Sequence, residues 1–133
     1  MVKIEAKCDD CQKIKRITIG QTGITGKLTW FESHYCPFCG YVMEVDNEGY
    51  LPDAIRQIVF SREGQYCLEV DSSVANSKIR AIKIVRQALN LSMLDTKKML
   101  NEFPHLVRGT KAEIEWLQVL LSRKEIKSTV RQI

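Results

Sequence analysis

No apolar run in the 133 residues approaches the roughly 18 that cross a membrane as a helix. No signal or transit peptide is visible either, so the expectation is a cytoplasmic chain. No nucleophile stands in motif with a base, no glycine-rich loop offers itself to phosphate, and no open metal site can be read from the pattern. These absences predict a non-enzymatic binding protein without a small-molecule substrate. Internal repeats and low-complexity segments are missing, which leaves one ordinary domain or two small ones. A net charge of +4 is modest for a nucleic-acid binder.

What is present is unevenly distributed. Residues 1–49 hold four of the five cysteines and five of the seven glycines, with six basic and seven acidic side chains. Residues 50–133 carry fourteen basic and nine acidic side chains, so the whole positive excess lies there. The reading is α+β: a zinc ribbon over 1–49, a linker with a short helix over 50–64, and a βααβαβ domain over 65–133.

The ribbon rests on Cys8-Asp9-Asp10-Cys11 and Cys36-Pro37-Phe38-Cys39-Gly40, two CxxC pairs separated by 24 residues. In a reducing compartment such pairs hold metal more readily than they form disulfides. Two pairs complete a closed tetrahedron of thiolates around one structural Zn²⁺, with no position left for a catalytic water. A redox dithiol is disfavoured because no βαβ pattern surrounds either pair. His34 stands near Cys36, but four thiolates already fill the shell, so it reads as a surface or strand histidine. Between the pairs, Ile14 to Ile19 alternates as a strand does, Gly20 to Gly26 supplies turn residues, and Leu28 to Phe31 starts the return. Lys13, Lys15, Arg16 and Lys27 with Trp30, Phe31 and Tyr35 could serve a nucleic acid by charge and stacking. Glu5, Asp9, Asp10, Glu32 and Glu44 oppose that and favour a scaffold or a protein-contact module.

After the polar break Asp46-Asn47-Glu48-Gly49, Pro52-Asp53 opens a helical pattern in which Ile55, Ile58 and Val59 share a face, suited to packing between the two modules. Tyr66 to Val70 reads as a strand. Asn76 or Ser77 can cap a helix that ends at Asn90, and Met93 to Glu102 reads as a second helix with Met99, Leu100 and Phe103 inward. Leu106 to Arg108 reads as a strand, Lys111 to Arg123 as a third helix burying Ile114, Leu117, Leu120 and Leu121, and Glu125 to Ile133 as a closing strand. Cys67, set in an apolar strand, reads as a small buried residue.

The helix from Asn76 carries two surfaces. At 100° per residue, Ala81, Ile84, Val85, Ala88 and Leu89 form a core-facing stripe. Ile79 falls outside it, between Lys83 and Arg86, with Ile82 on the border and Lys78 one turn back. From Ser72 to Leu94 there are four basic residues and no acid. A charged flank with one isoleucine is also what an ordinary solvated helix face looks like.

The order Lys78, Ile79, two residues, Ile82, Lys83, two residues, Arg86, followed by a second helix bearing Lys97, resembles the C-terminal domain of the bacterial ribosomal stalk protein of the large subunit. The likeness runs from about Gln65 to the end. It implies that Lys78, Ile79, Ile82, Lys83, Arg86 and Lys97 form a partner-binding flank that engages translational GTPases such as initiation and elongation factors. In place of the family's glycines at the helix corner stand Gln87, Asn90 and Ser92, and a zinc ribbon stands where the stalk protein has its dimerising helices and hinge. Adaptor proteins of the Clp protease share the element order, so a protease adaptor is an alternative, as is a zinc-ribbon regulator that binds nucleic acid.

Overall fold

The computed structural model describes residues 1–73 and 76–133. Its first half is a four-stranded antiparallel meander, β1 (Val2–Lys7), β2 (Ile14–Thr22), β3 (Thr29–Tyr35) and β4 (Val42–Glu48), in the spatial order β1-β2-β3-β4. Only parts of β2 and β3 were expected from the alternation. Val2, Ile4 and Ala6 face Ile19, Ile17 and Lys15 across the first pair, so the buried face takes every second residue. Ile14 lies on the opposite face and is half-exposed. Lys15 takes the position that alternation would give an apolar residue. Its stem is buried and its ammonium sits 5.4 Å from the centre of the Tyr41 ring.

Helix α1 (Asp53–Glu63) covers that face. Val59 and Leu51 close a small core with Val2, Ile17, Ile19 and Trp30, and Ile55 and Ile58 pack against it. The predicted apolar face of α1 thus serves the ribbon, and its ties to the second half are polar: Gln132 Nε2 donates to the Glu63 carbonyl at 3.2 Å, and an ion pair joins Arg56 to Glu113. Arg56 donates from Nε and Nη2 to the two carboxylate oxygens of Glu113, at 2.9 and 2.8 Å. Its guanidinium lies over the rings of Tyr50 and Phe60.

The second half runs β5 (Tyr66–Val70), α2 (Ser77–Leu89), α3 (Met93–Glu102), β6 (His105–Gly109), α4 (Lys111–Ser122) and β7 (Ser128–Gln132). β5 lies between β6 and β7, antiparallel to both. The helices cover one face around Leu68, Val70, Ala81, Val85, Ile114, Leu117 and Leu121. Two helix starts are capped as their sequences allow: Ser92 accepts from Asp95 N, and Thr110 with Glu113 forms a reciprocal capping box. Asn76 precedes α2 in a left-handed conformation and makes no side-chain cap. Leu100, expected inward, is exposed, while Met99 is buried.

The tip of the β2–β3 hairpin rests on α4. Trp116 Nε1 donates to the Gly26 carbonyl at 3.2 Å and Arg123 Nη2 to that of Thr25 at 2.8 Å. Gly23 permits the approach, because a Cβ there would collide with Trp116 and the Ala112 carbonyl.

Candidate metal centre and partner surface

The two CxxC segments fold into matching knuckles. In the first, Cys8 N donates to Lys13 O (2.7 Å) and Gln12 N to Cys8 O (2.8 Å). In the second, Cys36 N donates to Tyr41 O and Gly40 N to Cys36 O, both at 2.9 Å. The residue after the last cysteine turns the chain through positive φ in each, 66° at Gln12 and 77° at Gly40. The knuckles lie against each other, with the Lys13 ammonium 5.0 Å from the Phe38 ring centre.

This pairing gathers Cys8, Cys11, Cys36 and Cys39, whose sulfurs all lie within 4.8 Å of one another. Cys8 and Cys39 Sγ are 3.8 Å apart, and those of Cys11 and Cys36 are 3.5 Å apart. A tetrahedron with Zn–S bonds of roughly 2.3 Å has S–S edges of about 3.8 Å, whereas a disulfide needs about 2.05 Å. The cysteines are free thiols, and the set fits one structural Zn²⁺. Burial raises the Cys36 thiol, but the amides of Cys39 and Phe38 and the neighbouring thiols outweigh it and bring it down to about 7. Cys39 receives the Tyr41 amide, yet burial and the surrounding sulfurs push it up to about 12. The cluster therefore keeps protons that a metal ion displaces on binding.

His34 stands outside this set. It is buried in β3 with Nε2 2.6 Å from Glu32 Oε1. Of the ribbon residues considered for nucleic acid, Trp30 and Lys15 are buried on the α1 side, while Phe31 and Tyr35 remain exposed on the other face.

On the second half, Lys78, Ile79, Lys83 and Arg86 are exposed on α2 and Lys97 on α3. Ile79 is 69% exposed. Ile82 is a correction: at 6% exposure it belongs to the core with Ala81, Val85 and Met99. α2 packs against both α3 and α4, and the border position of Ile82 on the helical wheel is enclosed in the core they share. Lys78 is held with its ammonium 5.5 Å from the Phe103 ring centre. The first turn of α3 adds Met93 and Leu94, both exposed and unremarked in the sequence, where they read only as helix positions. No helix among the described residues is long and apolar enough to cross a membrane. Comparison of the chain with family models, with curated proteins and with solved structures finds no match in any of the three.

Proposed function

We propose that this is a non-enzymatic protein-interaction module in which a zinc ribbon is joined to a stalk-like domain whose α2 flank binds an acidic surface of a translational GTPase or another translation-associated factor. The observation that supports this most is Ile79, 69% exposed within a flank of Lys78, Lys83 and Arg86. A large apolar side chain ringed by cations has the form of a contact hot spot: the isoleucine is desolvated by the partner, and the cations steer an acidic surface toward it. Ile79 is the anchor in this reading, since Ile82 is committed to the core, and Lys97 extends the charge onto α3.

The test is an amide-shift titration of the zinc-loaded chain with purified elongation factors. Shifts centred on residues 78–86 are expected, with Ile79→Asp costing about 2 kcal/mol of binding and Lys83→Glu with Arg86→Glu abolishing the response. A titration that leaves α2 unmoved removes the proposal.

A further inference from the structure

The outer strand of the ribbon sheet offers an edge and two faces. β4 pairs with β3 over seven residues, from Val42↔Tyr35 to Glu48↔Thr29. It is last in the order β1-β2-β3-β4, so among the described residues its other edge of N–H and C=O groups has no strand beside it. Register places Val42, Glu44, Asp46 and Glu48 on the face of Phe31 and Tyr35, and Met43, Val45 and Asn47 on the other. Lys27 pairs with Glu48 at 2.6 Å. Glu44 and Asp46 have no ion-pair partner among the described residues. Phe31, Tyr35 and Val45 are all exposed.

We propose that β4 takes up, by strand addition, an extended segment of a partner protein in which lysine or arginine alternates with apolar residues. Main-chain bonds to the free edge would supply the affinity, and alternate side chains the selection. The segment's cations would stand opposite Glu44 and Asp46. Its apolar residues would meet Met43 and Val45. Charge argues against other occupants. A polyanion is repelled by the acids, and a second β4 would set like charges face to face. A second copy's β1 alternates in the right way, but the antiparallel register that sets both Lys3 and Lys7 on acids also sets Glu5 on Asp46. Metal supports the site, because the knuckle Cys36–Cys39 joins β3 to β4.

The experiment is an amide-shift titration of the zinc-loaded full chain with amidated seven-residue peptides of three kinds. One alternates valine with lysine, one alternates valine with glutamate, and one is the lysine peptide N-methylated at every second residue, made in both phases. Shifts confined to β4 and β3, absent with the glutamate peptide and lost in one N-methylation phase, support strand addition. Glu44→Lys with Asp46→Lys, both at exposed positions, should weaken the lysine peptide at least about tenfold. Binding that survives both N-methylation phases, that ignores the charge reversal, or that maps away from β4 overturns it. So does self-association through β1 with no response to peptide.

Discussion

Gln12 and Gly40 occupy equivalent places in the two knuckles, and only one of them suits its backbone. A residue with a Cβ at positive φ loses about 1 kcal/mol to steric crowding, which glycine avoids. Gln12→Gly is therefore expected to raise the stability of the zinc-loaded protein by about 0.5 kcal/mol, part of the gain being offset by the freer unfolded chain. Gly40→Ala is expected to cost about 1 kcal/mol, although nothing lies within 4 Å of the added carbon. Denaturant midpoints of the two variants check both signs. The glycine could be read from Cys-Pro-x-Cys-Gly, whereas the strained glutamine could not, because glutamine carries no positive-φ signature.

Tyr50 gives a pH dependence at the same scale. On a side chain still 45% exposed, its phenol is pushed up from 10.0 to about 12, first by partial burial and then by the Glu113 carboxylate, against the pull of Arg56. Because the folded state holds the proton more tightly, the contribution is complete below pH 10 and is lost as pH rises from about 10 through about 12. Urea titrations across that window should show the wild type losing more stability than Tyr50→Phe, whose side chain has no proton to lose. Equal slopes would mean that the phenol is as free in the folded state as in the unfolded one.

At the scale of elements, α2 shows how two isoleucines three residues apart divide between core and solvent. Ile82→Ala is expected to cost about 2–4 kcal/mol, as for a filled core position, while Ile79→Ala should stay within about 0.5 kcal/mol. Thermal unfolding of the pair measures this directly, and a large loss at Ile79 would place it in the core and remove the surface on which the proposed contact depends. The stripe Ala81, Ile84, Val85, Ala88 and Leu89 was readable because a helix repeats every 3.6 residues. The border residue was not, since its burial depends on where the neighbouring helices lie. Strands β1 and β4 escaped for a related reason. β4 buries almost nothing, so selection for an apolar face leaves little alternation to read. β1 does alternate, but six residues before a metal knuckle carry no turn signal that sets them apart.

At the scale of the whole molecule, two cores lie side by side. The ribbon core ends at Val59 and the second core begins after Gln65. They meet through Arg56 and Glu113, which is only 1% exposed, and through the hairpin tip on Trp116 and Arg123. A core as small as that of Val2, Ile17, Ile19, Trp30, Leu51 and Val59 does not hold a sheet by itself, so zinc binding, worth on the order of 10 kcal/mol, supplies the difference. Chelation at neutral pH should therefore expose the amides of β1–β4 to hydrogen exchange while β5–β7 keep their protection. Simultaneous loss of both sheets would show instead that the α4 contact governs the second sheet as well.

Whatever depends on local pattern was legible before the chain was folded. Four cysteines in two CxxC pairs dictate a closed zinc site, because ligand spacing is a covalent property of the chain. The 3.6-residue period dictates α2, α3 and α4, Ser92 and Thr110 cap the last two, and with the alternating strands these give the order β5, α2, α3, β6, α4, β7. Whatever depends on residues far apart in sequence was settled by the folded arrangement. It gave Arg56 to Glu113, placed the hairpin tip on α4, took Ile82 into the core, and left the acidic edge of β4 open among the described residues. The physical reason is that burial, ion pairing and strand edges are set by which surfaces meet, and distant surfaces meet only once the chain has folded.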